Sequence, residues 1–549
     1  MIELKDLFPY SFEKKFSKPV AYFSMEFAID QALKIYSGGL GFLSGSHLRS
    51  AYELKQNFIG IGILWKYGYY DQSRSMDGTM KPSFVEKDYS FLTDTGIIFP
   101  IRIHNHEVKV KAMLLKPEVF GTAPLFLLTT DLPENDHLAQ TISHRLYDAH
   151  ESARIAQSSL LGYGGAKLLD ILHRETEIYH LNEGHALPLC FYLWDKYKSI
   201  DEVKRRVVFT THTPEVAGNE EHDAGKLEVM SFFDGVSKES YQSLIEPGSK
   251  NLNYTLAALR MSRKANAVSK LHGKVSREMW TGYAGICEIT SITNAQNHKY
   301  WHDPALETAF EKDNMKAAAM RKAEMKKELF QVVSDQTGKL FDPGALTIVW
   351  ARRFAGYKRA NLLLNDLGRF FRVVNKSGLP CQVIWAGKPY PEDKDSNEMF
   401  NDIMKKISAM PNCAILTGYE LKLSALLKRG SDVWLNNPKI FREASGTSGM
   451  TAAMNGSVNL SIPDGWVPEF ANHGKNCFSV EPADRSLNEQ EQNAQEASRI
   501  YDLLENVVLP VYYNKPEQWY AITRQAWMDV REEYGSNRMA REYYDIMYS

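Results

Sequence analysis

At 549 residues, 44% of them hydrophobic and 24% charged, the chain is long enough for two or three globular domains, each with a buried core. A formal net charge of −2 argues against nucleic acid or an anionic membrane surface as partner, and no apolar run is long enough to span a bilayer. Five cysteines (Cys190, Cys287, Cys381, Cys413 and Cys477), odd in number and without a CxxC or His/Cys ligand spacing, predict reduced thiols, a cytoplasmic setting and no metal site. The first residues are charged and carry no apolar leader core.

In chain order, short β-branched apolar runs alternate with helical stretches. Strands are predicted at 21–26, 59–65, 125–130, 178–182, 207–212 and 289–294, with helical stretches at 138–172 and 252–269. Residues 100–116 read as antiparallel, an insertion in this first block. The second half repeats the rhythm, with strands at 346–350, 382–386, 414–417, 433–436 and 458–462 and helices at 358–373, 397–408 and 421–429. Strand–helix alternation of this kind implies parallel, doubly wound sheets. The charged helical region 311–337 reads as the connection between two Rossmann-like blocks. The expected domains are 1–310, 311–516 and a helix at 517–549 that crosses back to the first.

Several segments carry chemistry. Gly38 and Gly39, in a glycine-rich turn at a helix start, let a ligand approach the backbone. His185 and His212 follow apolar strands, where a histidine is more often structural than catalytic. Asn294 closes another strand. Arg352, Arg353 and Lys358 crowd the C-terminal end of a strand, where open α/β sheets bind ligands; guanidinium forks and an ammonium suit phosphate. A solvated basic helix start is the competing reading. Glu443 opens a small-residue loop (Ser445, Gly446, Thr447, Ser448, Gly449) that runs through Thr451 into a helical stretch. Such a loop suits an anion, and the acid suits sugar hydroxyls, but the same residues also make an ordinary strand-to-helix turn.

Taken together, these segments resemble the α-glucan (glycogen, starch or maltodextrin) phosphorylases, in family order from about residue 21 to 464. The resemblance implies the GT-B fold: two Rossmann-like domains facing each other across a cleft. By this likeness Gly38, Gly39, Arg353 and Lys358 lie at the substrate phosphate. His212, Asn294, Glu443, Ser445 and Gly446 serve the glucosyl unit, and His185 lies on the acceptor side. Arg352, Tyr419 and Thr447–Gly449 line the pocket for pyridoxal 5′-phosphate. Thr451 stands where the family carries the lysine that holds this cofactor as a Schiff base, and threonine has no amine. Three readings follow. The chain is a phosphorylase-like transferase holding pyridoxal phosphate non-covalently or using another phosphate, a glucosyltransferase using a nucleotide sugar, or a silent glucan-binding protein. The first is favoured because the sugar and phosphate residues are intact. The expected partners are an α-glucan and phosphate or a sugar phosphate, and a homodimer is one option.

Overall fold

The computed structural model describes residues 7–549. They form two compact units. The first comprises residues up to Tyr70, Phe84–Asn297 and Ser536–Ser549, and the second Asp71–Ser83 and His298–Gly535. The divisions thus fall at 297/298 and 535/536, where the sequence reading sets them at 310/311 and 516/517.

The first unit is built on a nine-stranded sheet. Its spatial order is Glu288–Ser291, Lys264–Ala267, Val207–Thr210, Ile178–Asn182, Val20–Phe23, Phe58–Ile63, Leu125–Thr129, His106–Leu115, Thr93–Ile103. The first seven are parallel, and the last two join antiparallel, as the alternation around 100–116 predicts. Val20–Phe23, Phe58–Ile63 and Leu125–Thr129 are buried throughout, as strands covered on both faces must be.

Two expectations for this unit need correction. The stretch 252–269 is not one helix: a helix at Tyr254–Met261 is followed by the strand Lys264–Ala267. Its sequence, Lys-Ala-Asn-Ala, has no β-branched residue. Strand partners on both sides impose the extended form that local propensity does not. The stretch 138–172 is likewise broken, into His137–Thr141, Glu151–Ser159, a π-helical turn at Leu160–Gly164, and Gly165–Ile171.

Residues Ser536–Ser549 complete this core. His180 shares hydrogen bonds with the Tyr548 hydroxyl (2.6 Å) and Thr210 Oγ1 (2.7 Å), and Tyr543 stacks on His47. The long helix expected at 517–548 is three pieces: Pro516–Glu533, Ser536–Glu542 and a π-helical turn at Tyr543–Met547. The first piece belongs to the second unit.

The second unit contains a six-stranded parallel sheet ordered Cys413–Leu416, Cys381–Ala386, Leu346–Ala351, Val433–Asn436, Val458–Ser461, Cys477–Ser479. Numbered along the chain this order is 3-2-1-4-5-6, the doubly wound pattern. The hairpin of Asp71–Arg74 and Met80–Ser83 belongs to this unit. Gln72 fixes it, accepting from the Gly418 amide and donating to the Gly387 carbonyl, both at 3.0 Å. The expected helix at 358–373 is instead two 3₁₀ turns, Gly356–Lys358 and Leu362–Leu364, and a helix at Leu367–Val374. Arg359, with φ of 49°, interrupts it in the left-handed region.

The Met315–Thr337 helix is pinned to the sheet by a buried ion pair. Lys326 Nζ lies 2.5 Å from Asp432 Oδ2 and 2.6 Å from the Ala345 carbonyl, and the same carboxylate accepts from the Thr347 amide. Removing one partner strands a charge in the core. Lys326→Met should therefore cost about 3–5 kcal/mol. That corresponds to a fall on the order of 10 °C in the unfolding midpoint of this unit, measurable by calorimetry.

Candidate functional site

In the second unit, chemistry collects beyond the carboxyl ends of the parallel strands, where doubly wound sheets bind ligands. Arg352, Arg353 and Lys358 follow the first strand, Gly387 the second, Tyr419 the third, the Glu443 loop the fourth and Asp464 the fifth. Glu443 is the hub. Lys358 Nζ donates to both of its carboxylate oxygens at 2.9 Å, and Arg352 Nη1 donates to Oε2 at 3.1 Å. All three side chains are buried. Burial raises the Glu443 pKa, but Lys358 and Arg352 outweigh it and hold the carboxyl below its ordinary range. Two cations against one carboxylate leave a net positive charge away from water.

The backbone around this hub is held from below. Asp464 Oδ2 accepts from the amides of Arg442 (3.0 Å) and Glu443 (2.9 Å), and Oδ1 accepts from Gly465 (2.8 Å). Burial, with the nearby Glu443 charge, pushes the Asp464 carboxyl up to about 7. Two glycines are required by close approach. A Cβ on Gly387 (φ 152°) would lie 1.9 Å from the Arg352 carbonyl oxygen, and one on Gly465 (φ 60°) would lie 2.2 Å from that of Ser445.

The remaining predicted residues of this half sit close by. Arg353 is exposed at the strand end, and its charge acts on Glu443. Tyr419 donates to the Ala351 carbonyl (3.3 Å) and accepts from Ser424. Gly446 packs on Glu443 and the Trp466 ring, and Gly449 on Asn459 and Trp466. Ser448 accepts from Trp434 Nε1. Thr447 precedes the helix Ser448–Ala453, which contains Thr451. That helix has only six residues, so the positive potential comes from Arg352 and Lys358 and owes little to a helix dipole. Thr451 is buried, and its hydroxyl donates to the Ser448 carbonyl (3.0 Å). Ser445 Oγ, Arg352 Nε and Trp466 Nε1 are buried without a hydrogen-bond partner.

In the first unit the predicted residues also follow strand ends. His212 comes after Val207–Thr210 and is neutral: burial, then the neighbouring His272 and His185, lower its pKa to about 3. The Asn182 amide donates to the Ser24 and Ser44 hydroxyls, so its Oδ1 accepts from His212 Nε2–H at 2.7 Å. This network fixes the tautomer and leaves His212 Nδ1 as an acceptor. The His212 amide donates to Glu183, whose backbone is held at φ 72°. That conformation is costly for a non-glycine residue and is held here by the surrounding contacts. His185 Nδ1 and Asn294 Oδ1 are buried without hydrogen-bond partners. Gly38 and Gly39 face open space at the start of the Gly39–Glu53 helix, but the Ser37 and Gly38 amides already donate to Glu26 (2.6 and 3.0 Å). The residues after Asn294 are anchored inward: Gln296 accepts from Ser46 Oγ, and Asn297 donates to Glu53.

Sequence reasoning passed over four participants. Glu26 and Asp464 are single acids in apolar surroundings. Glu183 directly follows the strand Ile178–Asn182. Lys428 is a lysine on the otherwise buried face of the Leu421–Gly430 helix. A charge at a core position of an amphipathic helix was the available signal. His298, His302 and Glu307 also converge, but each imidazole Nε2 already pairs with the Glu307 carboxylate, which Arg531 shares.

Comparison with known proteins places the chain in a family. The family model for carbohydrate phosphorylases matches residues 289–509. An uncharacterized protein of Methanocaldococcus jannaschii is 46% identical over 532 residues, 97% of this chain and 100% of that one. The maltodextrin phosphorylase of Thermococcus litoralis is 33% identical, covering 97% of this chain and 71% of its own. The glycogen phosphorylase of Aquifex aeolicus is 30% identical, covering 98% and 87%. The chain belongs to the α-glucan phosphorylase family.

Two measurements test the second-unit cluster. Phosphate should raise the unfolding midpoint by mass action, and the Arg353→Ala/Lys358→Ala double variant should lose that response. Asp464 gives a pH signature. Its folded pKa, about 7, lies above the unfolded carboxyl value, so its contribution is fully present below the unfolded value and is lost as pH rises through 7. The difference in unfolding midpoint between parent and Asp464→Ala should therefore shrink between pH 5 and pH 8.

Proposed function

We propose that the protein is a phosphorylase-type retaining glucosyltransferase that moves glucosyl units between α-1,4-glucan and phosphate. The carrying observation is the buried Glu443–Arg352–Lys358 cluster at the ends of parallel strands. It joins a sugar-hydroxyl acceptor to an anion site in one set of contacts. The GT-B arrangement read from the sequence, which would bring the residues of both units to one substrate, is part of this proposal.

In the phosphorolytic direction, inorganic phosphate attacks the anomeric carbon of the terminal glucose. The bond to the glucan oxygen breaks, and glucose 1-phosphate forms with retention. Lys358 and Arg353 stabilise the phosphate charge throughout, each charge-assisted bond being worth about 1.5–3 kcal/mol. Glu443 accepts glucosyl hydroxyls, and the Ser445–Gly446 turn packs beside them. Neutral His212 presents Nδ1 as an acceptor to a glucosyl hydroxyl, and Asn294 offers its unpartnered Oδ1. His185 faces the acceptor end of the glucan.

The residues present fit the family's pyridoxal phosphate. Arg352 has a buried guanidinium N–H without a partner, and Tyr419 donates to the carbonyl of the preceding Ala351. When bound, that cofactor's phosphate supplies general acid–base chemistry to the substrate phosphate. Thr451 offers it no amine.

Transfer to maltodextrin from glucose 1-phosphate and from UDP- or ADP-glucose, assayed in parallel, tests the proposal. Phosphate release should occur with glucose 1-phosphate alone, and Lys358→Ala should lower kcat roughly 10²–10³-fold. Activity confined to a nucleotide sugar would assign a synthase instead. Inactivity with every donor, with glycogen still bound in gel retardation, would assign a silent glucan-binding protein.

A further inference from the structure

Thr451 has no amine, but its surroundings contain one. Lys428 is 1% exposed, and its Nζ lies 3.6 Å from the centroid of the Trp301 ring. Trp301 adjoins Thr451: one amide nitrogen, Asn455 Nδ2, donates to the carbonyls of both, at 2.9 and 2.8 Å. One helical turn before Lys428, Ser424 Oγ donates to the Tyr419 hydroxyl at 3.4 Å. Residues 424 and 428 lie on one helix face. That face therefore runs from Tyr419 to Trp301, whose carbonyl shares a donor with that of Thr451. The neighbouring Leu427 shares an apolar cluster with Tyr419 and Ala452, so this helix and the Ser448–Ala453 helix pack together.

We infer that Lys428 is the amine that carries an aldehyde cofactor in this chain, taking the part that Thr451 cannot. The inference rests on the reading that this pocket accepts pyridoxal phosphate. The chemistry balances without any oxidant or reductant. The uncharged amine attacks the aldehyde carbon, a carbon–nitrogen bond forms, the carbonyl oxygen leaves as water, and an imine remains. Burial supports it by holding the Lys428 amine well below its ordinary pKa, in the nucleophilic form.

The test uses the full chain with pyridoxal phosphate, borohydride reduction and peptide mass mapping. An imine absorption band should appear on mixing, borohydride should bleach it, and one phosphopyridoxyl group should map to Lys428. Lys428→Met, which is similar in length and has no amine, should show no band. In the double variant Lys428→Leu/Thr451→Lys the group should move to residue 451. If the double variant is modified at 451 while the parent is unmodified at Lys428, the inference is overturned and the cofactor pocket stands. If neither is modified within the pocket, both the inference and the pyridoxal reading fall. Transfer from glucose 1-phosphate, measured on the same samples, reports separately on the proposed activity: transfer by a parent without the Lys428 imine would sink the inference alone.

Discussion

One carboxylate shared by two cations governs the second unit. Burying Glu443, Arg352 and Lys358 separately would be prohibitive; together they are tolerable because each charge has a hydrogen-bonded partner. The arrangement dictates its neighbours. Asp464 must hold the Glu443 amide, Gly387 must let the Arg352 carbonyl pass, and Gly465 must let the Ser445 carbonyl pass. The cluster still lacks one negative charge to balance it. A site built this way is preorganised for an anion, since its dipoles and charges need no rearrangement when one arrives.

The first unit works by a different principle. Its predicted residues are uncharged or hydrogen-bonding: a neutral His212 fixed by Asn182, an Asn294 with an open acceptor, and a Glu183 turned by backbone strain to hold the His212 amide. Neutral acceptors discriminate hydroxyl geometry and do not attract ions. The division of labour, ionic in one unit and polar in the other, is what the proposed reaction between phosphate and glucan would require.

The sequence was legible where local chemistry and tertiary placement agree. The apolar runs at 178–182 and 433–436 became strands with the same bounds, because parallel strands covered on both faces need uninterrupted apolar residues. It was illegible where partners override propensity, as at Lys264–Ala267, or where one residue breaks a helix, as Arg359 does. The polar hairpin Asp71–Ser83 gave no sign that it belongs to the second unit, since Gln72 is selected by two loop groups more than three hundred residues away. Arg352, Lys358 and Glu443, which meet beyond the strand ends, could be picked out from their positions. Lys428 could not, because its proposed role depends on its seat on Trp301.

The division of the chain also constrains biosynthesis. Every strand of the first unit's sheet is complete by Ser291, yet Tyr543 and Tyr548, which close the core around His47 and His180, follow the entire second unit. A nascent chain must carry that apolar surface uncovered while the ribosome makes everything between. Holdase chaperones act on surfaces of this kind. Tyr548 is fully buried, and Arg263 donates to the Ser549 carbonyl, so this late-made segment is held on the core by packing and hydrogen bonding together.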